Sequence, residues 1–296
     1  MGEERAEAMS AQPKPDGGRV PAPIPRARAS RVRVLCVALL CVALALLFIF
    51  KEFVSRPLPP EGKNALVIRG QQQDIYFYPA RGGVKDAPKI LFLCGNGGWE
   101  GVAPDISAEM AKAGYDVYGF DTKRYLESFT TDAGALKEPD VQADLAEVAK
   151  WMRTRWGERV TLAGQSTGAG LAVLAAVAPE NKSLFNGVVA FGLSDKEELG
   201  WRTRDDITYI TGADPDEPMF GAGDYMGKVA PLPLCTIQSS GDQFVGRDES
   251  ERLFAAAQQP KLYKLVQADD HVFDGNTEGF YEALREGLGW VEKNAP

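Results

Sequence analysis

Gly164-Gln165-Ser166-Thr167-Gly168 follows the mostly apolar run Arg159-Val160-Thr161-Leu162-Ala163 and leads into the helix-like stretch from Thr167 to Val177. A strand that turns sharply into a helix puts the middle side chain of such a G-x-S-x-G on an exposed, strained corner, while glycines at both ends let the neighbouring elements approach closely. The start of the helix also directs free backbone N–H groups at that corner. The pentapeptide alone is a frequent accident, and an ordinary Gly/Ser turn is the alternative reading. Its place between a strand and a helix points to a nucleophile elbow with Ser166 at the apex.

A serine nucleophile needs a base, and histidine is the side chain whose ordinary pKa suits that task. The chain has one histidine, His271, which lies after the strand-like run Lys261 to Val266 and before the last helical segment. The order serine, acid, histidine then asks for a carboxylate between the two. Asp242 fits, because it follows the apolar run Leu234-Cys235-Thr236-Ile237 and sits in the turn Ser239-Ser240-Gly241-Asp242. Its expected role is to accept the Nδ1 proton of His271 and fix the tautomer. Asp248 and Glu249 are rivals that read as the start of a helix near Glu251 to Gln258. Asp269 and Asp270 are too close in sequence to His271 to be the first choice, although either could be an outer partner.

The loop Cys94-Gly95-Asn96-Gly97-Gly98-Trp99 ends the apolar run Lys89 to Leu93 and precedes the amphipathic stretch Ala103 to Ala113. In this arrangement such a loop supplies one oxyanion N–H and the residue after the nucleophile supplies the other, here Asn96 and Thr167. A glycine-rich turn with no catalytic part is the alternative. The loop is not a dinucleotide fingerprint, since G-x-G-x-x-G is absent and no P-loop lysine follows. A single histidine and the lack of C-x-x-C leave no common zinc pattern, so neither a metal nor a cofactor is expected. Cys94 and Cys235 read as buried small hydrophobes on strands that are not neighbours.

The pattern around these motifs alternates short apolar runs with helical periods. Eight strands are expected, at 65–68, 75–78, 90–94, 116–120, 160–163, 187–191, 234–238 and 262–266. Val141, Leu145, Val148 and Met152 mark one apolar helix face. The first two strands read as an antiparallel opening and the later ones as a parallel sheet with crossover helices, an α/β class. Residues 193–230 break the alternation and read as a lid, a substrate loop or a solvated excursion.

Seventeen uninterrupted apolar residues, Val34 to Phe50, precede this domain and are just long enough to span a membrane. Arg26, Arg28, Arg31 and Arg33 lie before them, which places residues 1–33 in the cytoplasm as a disordered basic leader and the domain on the far side. A cleaved signal peptide is the alternative reading. Residues 51–62, with Pro57-Leu58-Pro59-Pro60, form a linker to an α/β domain at 63–296. The chain carries a net charge of −8, and the first fifty residues hold seven basic and four acidic side chains, leaving about −11 on the remainder. That balance argues against a nucleic-acid partner and is compatible with a cationic substrate.

Gly95-Asn96-Gly97-Gly98-Trp99, Asp121 with Arg124-Tyr125, the elbow and His271-Val272-Phe273-Asp274-Gly275 together resemble the bacterial virulence protein VirJ/AcvB family, a branch of the α/β-hydrolase superfamily. The resemblance runs over roughly residues 88 to 292. It departs at Asn96, where the family usually has aspartate, and after Tyr125, where Leu126-Glu127-Ser128-Phe129-Thr130-Thr131 replaces the family's continuation. The resemblance implies a periplasmic or inner-membrane-associated protein, with Ser166, His271 and Asp242 as triad and Trp99, Asp121, Arg124 and Tyr125 as structural or pocket residues. It also implies an envelope or secretion-system partner and, for some members, removal of the aminoacyl group from lysyl-phosphatidylglycerol. The expectation is a membrane-anchored serine hydrolase acting on an ester, with a lipid as substrate. A binding or scaffolding protein on the same fold and a generic small-ester or acyl-lipid esterase are the alternatives.

Overall fold

The structure, a computed structural model, describes residues 61–82, 85–202 and 217–296 together with Leu40. Apart from Leu40, the expected membrane segment at 34–50 lies outside the described residues, as does most of the linker. Among those described, no helix is long and apolar enough to cross a membrane.

Among the described residues ten strands form in chain order: β1 (Gly62–Ile68), β2 (Gln71–Tyr78), β3 (Lys89–Leu93), β4 (Asp116–Phe120), β5 (Val160–Gln165), β6 (Phe185–Phe191), β7 (Lys196–Glu198), β8 (Met219–Gly221), β9 (Leu234–Ser239) and β10 (Lys261–Val266). Eight of them make one sheet in the order β1-β2-β4-β3-β5-β6-β9-β10, and each corresponds to an expected strand. β1 pairs antiparallel with β2, and β2 antiparallel with β4; every other pairing is parallel. The β1–β2 connection is the two-residue turn Arg69-Gly70, with φ of 45° and 83°. Positive φ at both central residues matches the right-handed twist of the flanking strands, which favours this tight hairpin.

The helices are α1 (Ala103–Lys112), α2 (Thr122–Phe129), α3 (Glu138–Trp156), α4 (Thr167–Val177), α5 (Gly223–Met226), α6 (Arg247–Ala256) and α7 (Thr277–Asn294). Side chains alternate across each strand, so Leu91 and Leu93 join the core beneath α3 and α4, whereas Ile90 and Phe92 join the core beneath α1 and α7. Every residue of α4 is buried. Its run of Ala, Gly, Val and Leu has no polar stripe, as befits a helix enclosed on all sides.

Several elements lacked a sequence expectation. α2 starts because the Asp121 carboxylate caps it, accepting the Arg124 amide at 3.1 Å. The excursion at 193–230 contains β7 and β8, an antiparallel pair of its own. Leu199, Trp201, Phe220 and Met226 from its flanks are buried in the main core, while residues 203–216 lie outside the described residues.

Candidate active site

Four strand ends meet at one edge of the sheet. β3 delivers the Gly95–Gly98 loop, β5 delivers Ser166, β9 delivers Asp242 and β10 delivers His271. Open parallel sheets build their sites beyond the carboxyl ends of the strands, where loops from several strands converge.

Ser166 has φ 51° and ψ −126°, a conformation that L-residues rarely adopt. Such strain persists only where the surroundings enforce it. Here the Ser166 amide donates to the Phe191 carbonyl at 2.9 Å, and the Ser166 carbonyl accepts from the Ala169 amide at 2.7 Å. The two motif glycines allow the corner to close. A Cβ on Gly164 would sit 2.2 Å from the Gly168 carbonyl oxygen, and one on Gly168 would sit 2.3 Å from that of Leu93.

His271 and Asp242 are in contact, with Nδ1 of the imidazole 2.7 Å from Oδ2 of the carboxylate. The Asp242 side chain is almost wholly buried and accepts three further hydrogen bonds: the Phe244 and Val245 amides to Oδ1 at 2.9 Å each, and Gln238 Nε2 to Oδ2 at 2.9 Å. Burial pushes this carboxyl up, but the hydrogen bond and charge of His271 and the two amides outweigh it, so Asp242 titrates below its ordinary range. An acid held ionised in this way can orient an imidazole and stabilise its charged form.

The imidazole is bedded on backbone: a Cβ on Gly192 would lie 2.7 Å from His271 Cε1. Gln243 Oε1 accepts the His271 amide at 3.1 Å, and the Phe244 ring meets the imidazole edge-on at a centroid separation of 5.3 Å. The loop behind it is pinned by Phe273, which stacks on Phe280 at 4.1 Å. Asp270 Oδ1 accepts the Val272 and Asp274 amides, so this neighbour shapes the histidine loop through its backbone.

Ser166 and His271 line one cavity of about 210 Å³ with Gly95, Asn96, Gly98, Glu100, Gln165 and Val272. No hydrogen bond joins the Ser166 hydroxyl to the imidazole, although both side chains line the same cavity. Asn96 reaches the cavity through its loop. The Thr167 amide opens α4, where first-turn N–H groups have no partner inside the helix. The Thr167 side chain is turned into the protein, its hydroxyl donating to Glu198 Oε2 at 2.5 Å. Among the described residues no cluster of histidine, cysteine or acidic side chains could hold a metal.

Of the residues expected to be structural or to line a pocket, Trp99, Asp121, Arg124 and Tyr125, none lines this cavity. Trp99 lies flat on Tyr76 at 4.6 Å, over Gly119, where a Cβ would strike the indole at 1.7 Å. Asp121 caps α2 and lies against the glycine loop, where a Cβ on Gly98 would sit 3.5 Å from its Oδ1. Arg124 pairs with buried Asp74 at 2.7 Å. The Tyr125 hydroxyl donates to Asp144 at 2.7 Å, and Arg69 completes that buried network at 3.1 Å. All four are packing and ion-pair residues that set the frame around the loop.

Sequence reading missed Gln238, Glu198 and Glu100. Gln238 had a signal, since it lies four residues before Asp242 at the end of the same strand. Cys94 and Cys235 are free and buried, on strands separated by two others, and burial pushes both thiols up to about 12.

Comparison with solved structures gives the same fold. The esterase domain of a Rhodothermus marinus protein superposes with a TM-score of 0.54 at 19% identity, over 78% of this chain and 98% of its own. Est1E from Butyrivibrio proteoclasticus gives 0.59 at 12%, over 78% and 99%. XC6422 from Xanthomonas campestris, described as an a/b serine hydrolase without lid, gives 0.53 at 20%, over 79% and 97%. These likenesses establish the α/β-hydrolase fold. YfhR of Escherichia coli O157:H7, an uncharacterized protein, is 24% identical over 200 residues, 67% of this chain and 68% of its own length. The family described as "Bacterial virulence protein (VirJ)" matches residues 88–289, most of the domain that carries the site. This chain belongs to the bacterial virulence protein (VirJ) family, on the α/β-hydrolase fold.

Proposed function

We propose that this chain is a serine esterase. Ser166 Oγ attacks the ester carbonyl, and His271 Nε2 takes its proton and passes it to the leaving alcohol. Asp242 holds the imidazole by Nδ1 and stabilises its positive charge, and the amides of Asn96 and Thr167 receive the developing oxyanion. Water, activated by the same imidazole, then cleaves the acyl-enzyme. The observation that carries this reading is a strained serine at a strand–helix corner sharing a cavity with a histidine whose other nitrogen is 2.7 Å from a buried carboxylate.

The substrate we propose is an aminoacyl ester of a phospholipid headgroup, lysyl-phosphatidylglycerol first. Glu100 lines the cavity beside Ser166, which supports a cationic acyl group. A volume of about 210 Å³ is below the usual range for drug-sized ligands and suits a compact acyl group better than a long chain. The apolar segment Val34 to Phe50 would hold the domain at the inner membrane on its periplasmic side, next to such a lipid.

Purified wild type and Ser166→Ala, assayed on p-nitrophenyl acetate and with a fluorophosphonate probe, test the chemistry. Loss of turnover by several orders of magnitude and loss of labelling are expected; an S166A protein with wild-type activity would overturn the assignment. Lipid mass spectrometry of liposomes containing lysyl-phosphatidylglycerol tests the substrate. Equal aminoacyl-lipid levels with the two proteins, beside wild-type hydrolysis of the simple ester, would leave an esterase of another specificity.

A further inference from the structure

The excursion between β6 and β9 reaches back to the elbow. Resting on the serine-esterase reading, we infer that Glu198, on β7, is a positioning residue of the oxyanion hole, acting through the Thr167 hydroxyl. Thr167 is 1% exposed, and where the buried hydroxyls of Thr122, Thr161 and Thr236 have no hydrogen-bond partner, that of Thr167 has one. Its acceptor is Glu198 Oε2 at 2.5 Å, 31 residues away in the chain and on a different element. A carboxylate acceptor makes such a bond shorter and stronger than a neutral one.

The neighbours of Glu198 make it a rigid support. Glu197 is buried with its stem against the first turn of α4: a Cβ on Gly170 would lie 2.3 Å from Glu197 Cγ. Its carboxyl accepts the Ser194 amide at 3.0 Å and the Ser194 hydroxyl at 3.3 Å. On the other side, the Leu199 amide donates to the Pro218 carbonyl at 2.8 Å, and the Leu199 carbonyl accepts the Leu136 amide at 3.2 Å. The strand is therefore fixed on both flanks of Glu198, and the carboxyl is presented to Thr167 at a set height.

Thr167 is the first residue of α4, and its amide is one of the two proposed oxyanion donors. Ser166, held at φ 51° and ψ −126°, sets the direction of the peptide that carries this amide, so that direction depends on the contacts around it. The Glu198–Thr167 bond is one of them. A donor that must meet an oxyanion at hydrogen-bond distance loses much of its value when displaced by a fraction of an ångström. The effect belongs to the transition state, so it appears in kcat and leaves substrate binding largely alone.

The test is a double-mutant cycle on p-nitrophenyl acetate with Glu198→Ala, Thr167→Val, the double variant and Glu198→Gln, each with its Tm and fluorophosphonate labelling. Glu198→Ala and Thr167→Val are each expected to lower kcat by about 10- to 100-fold with KM within about twofold. The double variant should be no worse than the poorer single one, because both remove the same bond. Glu198→Gln keeps an acceptor oxygen and should recover most of the loss, which a merely structural role would not require. The inference is overturned if E198A keeps wild-type kcat, if the two losses multiply, or if E198Q falls as far as E198A. Should E198A fail to fold, T167V decides alone, and an unchanged kcat overturns it. A wild type that neither hydrolyses the ester nor takes the probe overturns the serine-esterase reading itself, and this inference with it.

Discussion

Gly168→Ala probes the closest approach in the site. The added methyl would lie 2.3 Å from the Leu93 carbonyl oxygen and 2.4 Å from that of Cys94. Carbon and oxygen in favourable contact sit about 3.3 Å apart or more, so α4 and the end of β3 must separate by roughly 1 Å. Both obstacles are backbone atoms of a central strand, and neither can swing aside as a side chain would. Overpacking of a tight core costs about 1–3 kcal/mol, and two backbone contacts place this change toward the upper end. At roughly 2–4 °C per kcal/mol for a domain of this size, Tm should fall by about 4–12 °C. Leu93 and Cys94 lead directly into Gly95 and Asn96, so the loop carrying the Asn96 amide moves with them. A displacement near 1 Å at a catalytic group costs on the order of 100-fold in rate. Scanning calorimetry and p-nitrophenyl acetate hydrolysis measure both effects. Unchanged Tm and kcat would refute the reasoning; a lower Tm with full kcat would keep the packing argument and remove the coupling to the loop.

Asp242→Asn should lower kcat by about 10⁴-fold on the precedent of other triads, read in the same esterase assay. Because the folded pKa of Asp242 is depressed, its ionised form contributes stability that is present above the unfolded value of about 4 and fades as pH falls through the folded value. Denaturant titrations should therefore show the wild type ahead of D242N at pH 6 and the gap closing in the acid range below about pH 4. Tyr125→Phe removes the hydroxyl that donates to Asp144 and should cost about 1.5–3 kcal/mol by urea melts, the range for bonds to charged groups. Its kcat should stay at the wild-type level, and a large loss of kcat in stably folded protein would favour a pocket role for Tyr125 over a structural one. Gly289→Ala, exposed in α7 with open space around its Cβ position, should stabilise the protein by up to about 1 kcal/mol through helix propensity; a lower Tm would contradict it.

The amino-acid order determined the eight sheet strands, because their apolar runs and turn boundaries are local signals of burial and backbone preference. It also determined the elbow, where the two glycines and the serine lie within five residues and the strain is local. His271 was found by elimination, as the single histidine of the chain, and Asp242 by its position just past a strand. That these two touch, and that Ser166 shares their cavity, depended on β5, β9 and β10 becoming parallel members of one sheet edge, which no window of sequence contains. The same holds for the residues that frame the glycine loop. Arg124 and Tyr125 are one turn of α2, but their partners, Asp74 and Asp144, are 50 and 19 residues away. Trp99 finds its place only because β2 and β4 bring Tyr76 and Gly119 beneath it. Glu198 had no local mark at all, for a carboxylate on a short strand looks like any solvated charge until the fold lays it against Thr167. Local pattern reports which face of an element is apolar and which backbone angles are allowed; which faces then meet is decided by long-range packing, and the polar partners inside the fold follow from that.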